Sequence, residues 1–147
     1  MSTPDNIEIF NRVCIVLFDR LYSAFPVPTE IDVNEISANV APLEDYDGSW
    51  DVLTIGREVI EFLIQEGFLT AEGSYDSGSV YLQVRLTMKG LAVLGYVPST
   101  LEKQEALISK ISRVARGGLK EAGGEVVRQL VSQVFNLAIA ATPTLVR

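Results

Sequence analysis

The sequence of 147 residues contains no histidine and only one cysteine. Without histidine, the chain cannot build a Ser–His–Asp triad, an imidazole acid–base catalyst or a histidine-ligated metal site. A single cysteine excludes an intrachain disulfide and is too few for a zinc site. Cys14 lies among apolar residues at helical spacing, which predicts a structural thiol rather than a nucleophile. These absences predict a protein that is not an enzyme and uses no cofactor.

Basic residues are scarce in the first two thirds of the chain. Residues 1–98 hold 5 Lys/Arg against 15 Asp/Glu, a net charge of −10, whereas residues 99–147 hold 7 against 4, a net charge of +3. An acidic part followed by a basic part predicts two units with different surroundings, 1–98 and 99–147. The acidic unit is poorly suited to nonspecific nucleic-acid binding, because phosphate contacts require Lys and Arg.

Long apolar runs are also missing. The chain has no uncharged apolar run of about 18 residues, which predicts that no helix spans a membrane. The N-terminal segment MSTPDNIEIFNR lacks the basic region and apolar run of a secretory signal. The hydrophobic content of 48% is nevertheless that of a globular protein. We therefore expect a cytoplasmic protein, in keeping with the single cysteine.

Two loops partly match ligand-binding motifs and fail at essential positions. Gly118–Glu125 has two glycines spaced as in a phosphate-binding loop, but Gly124 and Glu125 replace the required Lys-Ser/Thr. The acidic loop at 44–48 would place Leu43 and Thr54 where a calcium loop needs carboxylates. We predict a break between two helices at the first loop and a helix-capping turn at the second.

The apolar pattern of residues 6–95 predicts alternating short helices and strands. A buried stripe at helical spacing, which includes Ile7 and Phe10, predicts a first helix that ends before Pro26. Phe62 belongs to the predicted core face of the long helix. The predicted elements are helices at 6–25, at 34–40, from Ser49 or Asp51 to Gly67 and from Thr87 to Leu94, with strands at 29–33, 68–72 and 80–86.

Residues 66–94 combine the end of a helix, a strand, a Gly/Ser tip at 73–79, a second strand and a helix capped by Thr87. The segments QEGFLT and VRLTMKGLAVL resemble the pattern of winged-helix families, in which a helix ends in a glycine and the strand after the wing runs into LTxKG. The resemblance covers residues 6–95. It implies an α+β, mostly helical fold: a winged helix, here with a C-terminal two-helix extension.

The resemblance raises the question of DNA binding, because the long helix before the wing enters the major groove in many winged-helix proteins. Base and phosphate contacts favour cations, so an acidic helix disfavours this role. In the alternative of a dimeric DNA-binding regulator, Arg57, Arg85 and Lys89 carry the contacts. The outward residues of the helix are one cation and three carboxylates among Asp51, Thr54, Arg57, Glu58, Glu61 and Gln65.

The last third of the chain predicts two helices, from Ser99 or Thr100 to Arg116 and from Glu125 to Ala141. Several winged-helix families place such a helix in a dimer interface, and the layout also resembles a prophage-associated domain of unknown function. A wide apolar face that is left uncovered is an association site. The predicted interface residues on the last helix are Val126, Val127, Leu130, Val131, Val134 and Leu137.

Two apolar residues, Ile9 and Val16, fall on the otherwise polar side of the first helix. They are either harmless surface or a second contact with the tail or another subunit, and the second reading adds them to the predicted interface. A membrane-surface role for the tail is less favoured, because the polar face of its last helix is rich in Asn, Gln and Ser.

The sequence therefore predicts a non-enzymatic winged-helix interaction or regulatory module that self-associates through residues 99–141, as a homodimer or with another protein. The alternative is a dimeric winged-helix transcriptional regulator that binds DNA. The resemblance to a prophage-associated domain indicates a bacterial or phage setting.

Overall fold

The computed structural model describes residues 5–40, 49–97, 105–119 and 122–141. Their fold is α+β and mostly helical, with one small antiparallel sheet. The elements are α1 (Asp5–Ala24), β1 (Thr29–Asp32), α2 (Val33–Val40), α3 (Ser49–Gln65), β2 (Leu69–Thr70), β3 (Gly73–Tyr75), β4 (Val80–Leu86), α4 (Met88–Leu94), α5 (Leu107–Arg116) and α6 (Gly124–Ala141).

The predicted elements up to Leu94 are confirmed, with two differences in the hairpin. The first predicted strand is reduced to β2, and the expected Gly/Ser tip contains a further strand, β3, which extends the hairpin. The reversal itself is made by Asp76 and Ser77, which both have a φ of +59°. Two successive residues in the left-handed region are typical of the tight turns that match strand twist.

The predicted helix from Ser99 or Thr100 begins later than expected. Residues 105 and 106 are not helical, and α5 starts at Leu107; residues 98–104 and the loop at 44–48 lie outside the described residues. The amide of Leu107 donates to the carbonyl of Tyr96, 3.0 Å away. The first residue of α5 is therefore joined to Tyr96, two residues beyond the end of α4.

Strand β4 is the centre of the sheet. It pairs with β1 on one side and with β2 and β3 on the other, in antiparallel register. The pairing with β1 contains an irregularity between Thr29 and Ile31, and Gln83 of β4 has a φ of +54°. Val84 and Leu86 then point inward, whereas Gln83 and Arg85 are exposed. One face of the sheet thereby covers the core.

Helix α1 lies at the centre of the molecule. Every residue from Asn11 to Asp19 is buried, which is the pattern of a helix that is packed on all sides. It packs against α3 and β4 and also against α5 and α6. The C-terminal helices therefore share a continuous core with the rest of the chain. The proposed boundary after residue 98 stays a prediction.

Polar contacts fasten α5 and the segment before α6 to α1. The guanidinium of Arg12 donates to the carbonyls of Leu119 and Ala122 and pairs with Glu8, 3.0 Å away. About two turns further along α1, the buried carboxylate of Asp19 accepts from the Ser112 hydroxyl at 2.6 Å and pairs with Arg116 at 3.0 Å. The break between α5 and α6 is thus held against α1, because Arg12 donates to two of its backbone carbonyls.

The LTMKG segment forms a joint between the hairpin and α4. The Thr87 hydroxyl donates to the carbonyl of Gly67 at 2.6 Å and accepts from the amide of Gly90 at 3.1 Å, so one side chain caps α4 and anchors the end of α3. A Cβ at Gly90 would lie 2.7 Å from the Phe68 carbonyl oxygen. The glycine is therefore required by close backbone approach.

Replacing Ser37 with Ala is expected to stabilise the protein. The Ser37 hydroxyl oxygen of α2 is buried and has no hydrogen-bond partner among the described residues. Removing it relieves an unsatisfied polar group and improves helix propensity, for an expected gain of about 1–2 kcal/mol in the free energy of unfolding. Urea denaturation of the variant measures this gain. Ser132→Ala in α6 is the control for propensity alone, and an equal gain there would contradict the prediction.

The single thiol is expected to make the protein less stable in alkali. Burial raises the pKa of Cys14 well above its usual range, so its proton is lost on unfolding once the pH exceeds the unfolded pKa of about 8.5. The stability present below that pH should then fall by up to about 1.4 kcal/mol per pH unit. Urea denaturation of the wild type and of Cys14→Ala at several pH values checks this. The difference between the two proteins should shrink as the pH rises, and a constant difference would contradict it.

Candidate interaction surface

The three cations proposed for DNA contact each hydrogen-bond to the backbone of the same chain. Arg57 donates to the Ser77 carbonyl in the hairpin turn at 3.2 Å. Arg85 donates to the Pro26 carbonyl at 3.3 Å, and Lys89 donates to the carbonyl at the end of α3, on Glu66, at 2.9 Å. The three acceptors belong to different parts of the fold. Each of these cations is therefore bonded to a different part of its own chain.

Arg57 is directed at the hairpin turn rather than outward. It is half-buried, and a Cβ on Gly78 would lie 2.9 Å from its Cδ. Because Arg57 is the one cation in the sequence of α3, the exposed side of this helix presents Glu58 and Glu61. Glu61 accepts a hydrogen bond of 2.7 Å from Tyr81, and burial together with this bond raises the pKa of the tyrosine. The exposed side of α3 is acidic.

An apolar groove runs beside this acidic side, between the first half of α1, α3 and the end of α6. Two adjoining cavities of about 400 Å³ and about 360 Å³ share the side chains of Phe10 and Phe62, which lie between them. We define the apolar groove by six side chains: Ile7, Phe10, Ile55, Phe62, Phe135 and Ile139.

Packed phenylalanines form the floor of the apolar groove. The ring of Phe10 lies 5.7 Å from that of Phe62, edge to face, and 5.8 Å from that of Phe135, nearly parallel. Phe68 meets Phe135 edge to face at 5.3 Å. Such contacts hold aromatic side chains in fixed positions. The floor is therefore preformed and joins all three helices.

Several groove side chains stay in contact with solvent. Ile7 is 47% exposed, Phe62 is 42% exposed and Ile139 is 72% exposed. The sequence patterns placed Ile7 and Phe62 in the core, and this prediction is wrong. Both lie on the apolar stripe of their helix. Other residues of each stripe are covered by neighbouring elements, whereas these two are not. Contiguous exposed apolar side chains mark interaction surfaces.

The predicted self-association face lies mostly inside the molecule. Val127, Leu130, Val131 and Val134 are buried, because α1, α4 and α5 pack over this face of α6 within the chain. Val16 is buried as well, so the expectation that it is harmless surface is wrong. Ile9 and Leu137 are half-buried, and Val126 is 49% exposed. Self-association through this face requires α6 to leave α1.

The groove could have been found only partly from the sequence. Ile139 lies outside the apolar face predicted for α6, and an apolar residue off the main face is a weak signal of a second contact. Phe10 and Phe62 follow the core pattern of their helices, so nothing local separates them from buried residues. The groove exists because the first half of α1, the body of α3 and the end of α6 meet there.

Neither a metal site nor a membrane-spanning helix is found among the described residues. No group of three or more Cys, Asp and Glu side chains is placed among them to hold a metal ion. None of the helices in the described part of the chain is long and apolar enough to cross a bilayer. Comparison with protein-family models, curated proteins and solved structures finds no match to this chain.

Proposed function

We propose that this chain is a non-enzymatic winged-helix module that acts by binding another protein. The element order and the position of β4 between β1 and β2 support the winged-helix assignment. The observation that carries the proposed role is the apolar groove beside the acidic side of α3. An exposed apolar surface with a preformed floor is typical of a docking site.

The groove is a better candidate for partner binding than the buried face of α6. Its side chains are accessible without any rearrangement, whereas Val131 and Val134 become accessible only if the core opens. Opening a shared core costs a large part of the free energy of folding. We therefore place the partner of this module at the groove and assign residues 105–141 a role in building it, since α6 supplies Phe135 and Ile139.

Affinity enrichment with the full chain as bait tests the proposal. Ile139→Glu is the test variant, and Met88→Glu is its matched control, because both side chains are 72% exposed and Met88 does not line the groove. Proteins bound by the wild type and by Met88→Glu, but lost with Ile139→Glu, support the proposal once direct titration with the purified partner confirms binding. Equal enrichment by all three baits would overturn it.

DNA binding by a dimer is the second candidate, favoured by the element order and by the exposed position of Arg85 on β4. It predicts salt-dependent binding of duplex DNA that Arg85→Ala weakens. Fluorescence anisotropy with a labelled duplex at low salt distinguishes the two roles. The interaction module shows no such binding, and light scattering of the same samples reports whether the chain is a dimer.

A further inference from the structure

We infer that the apolar groove binds a basic amphipathic helix of a partner protein. The inference rests on the proposed function and names the chemistry of its partner. Three properties of the groove lead to it: its walls are helices, its floor is apolar, and its rim is acidic.

The walls determine the conformation of the occupant. The groove lies between α1, α3 and α6, and away from the first and last turns the backbone groups of a helix are bonded within it. No strand of the described sheet borders it. An extended peptide would therefore find no sheet edge to pair with there, and much of its polar backbone would be left unsatisfied against an apolar floor. A helix satisfies its backbone internally, so helix-in-groove binding fits this surface.

The two cavities of the groove suggest where the partner helix places its apolar side chains. The two cavities lie on either side of the Phe10 and Phe62 side chains. Each has the size of a pocket for large side chains, and successive turns of one helix place side chains i and i+3 or i+4 on the same face. One turn of the partner fills the cavity beside Ile7 and Ile55, and the next fills the cavity beside Phe135.

The rim determines the charge of the occupant. Glu58 lines one cavity and Glu66 lines the other, and both are exposed. Lys89 is the one cation that lines the groove in the described part of the chain, and it is bonded to the Glu66 carbonyl and lies 5.0 Å above the Phe68 ring. The unit of residues 1–98 carries a net charge of −10. Lys and Arg flanking the apolar stripe complement this rim, and a second copy of the acidic unit does not.

A designed peptide tests the inference on the full-length protein. The probe is a fluorescein-labelled amphipathic peptide of about 18 residues, with Leu at i, i+3, i+4 and i+7 and Lys on both flanks. Two controls have the same length: a scrambled order without an apolar stripe, and the same stripe flanked by Glu. Fluorescence anisotropy should show binding of the first peptide that is at least about tenfold tighter than that of either control.

Variants locate the binding. Ile139→Glu should weaken binding of the designed peptide by about tenfold or more, while Met88→Glu stays within about twofold of the wild type. Glu58→Lys should weaken binding mainly at low salt, because it removes a rim attraction that salt screens. Circular dichroism confirms that each variant is folded. A designed peptide that binds no tighter than the scrambled one, or that binds Ile139→Glu as well as the wild type, overturns the inference.

The outcomes separate this inference from the proposed function. A partner whose enrichment depends on Ile139, together with failure of the designed peptide, means that the groove docks a protein of other chemistry. A change from dimer to monomer in light scattering of Ile139→Glu means that a second copy occupies the groove, which overturns the basic helix. Failure of both experiments rejects the groove as a docking site.

Discussion

Replacing Arg12 with Met should lower the free energy of unfolding by about 2–4 kcal/mol. The Arg12 side chain is only 11% exposed, and its guanidinium satisfies the carbonyls of Leu119 and Ala122 at the break between α5 and α6. Methionine keeps the apolar stem and fills the space but removes the Arg12 donor from both carbonyls, so that the Leu119 carbonyl keeps only the Ala122 amide, 3.2 Å away. Glu8 is partly exposed and regains water, so the cost comes mainly from the buried bond to the Leu119 carbonyl and the part-buried bond to the Ala122 carbonyl.

Urea denaturation followed by circular dichroism measures the effect of Arg12→Met. Arg128→Met is the matched control, because Arg128 is exposed and, among the described residues, pairs with Glu125 of its own helix; its unfolding midpoint should match that of the wild type. If α5 and α6 loosen before the rest, the denaturant slope of Arg12→Met also falls. Equal midpoints for the two variants would show that Arg12 does not hold the C-terminal helices.

Replacing Gly90 with Ala should lower the free energy of unfolding by about 2–3 kcal/mol. The added methyl group would lie 2.7 Å from the Phe68 carbonyl oxygen and 3.2 Å from a methyl group of Leu86. The first contact is to backbone, which cannot rotate away as a side chain does. Helix α4 must therefore move away from the hairpin, which lengthens the bond between Thr87 and the Gly67 carbonyl.

Thermal and urea unfolding of Gly90→Ala check this prediction. Gly124→Ala is the control, since a Cβ there meets only the Glu8 carboxylate at 3.5 Å and Ala favours helix. The control should be neutral or slightly stabilising. Similar behaviour of the two variants would mean that α4 has room to shift, and that the glycine of the LTMKG segment is not required by packing.

The local chemistry of the chain made most of its elements predictable. Helical spacing and prolines bounded α1, Gly67 ended α3 with a φ of +87°, and the Thr87 side chain caps α4 as expected. These features depend on a few consecutive residues, so the sequence displays them directly. The start of α5 was missed; its first amide bonds to the carbonyl of Tyr96, a contact that no local pattern displays.

The candidate site was less predictable than the elements around it. The acidic side of α3 follows from composition and spacing, since Glu58 and Glu61 occupy outward positions of a helix with one cation. The groove does not, because Phe62 and the buried Leu63 follow the same helical pattern but end with different exposures. Which of the two side chains is covered depends on how α1 and α6 are placed beside α3.

Periodicity by itself determined that α6 has an apolar face and that α1 has a buried stripe. Only the tertiary structure decided that the two faces cover each other, which leaves Ile7, Phe62 and Ile139 at the surface. A pattern of apolar residues states that a face must be buried and contains no information about which chain or element buries it. That choice is made by contacts between residues far apart in the sequence, such as Arg12 with Leu119 and Phe10 with Phe135.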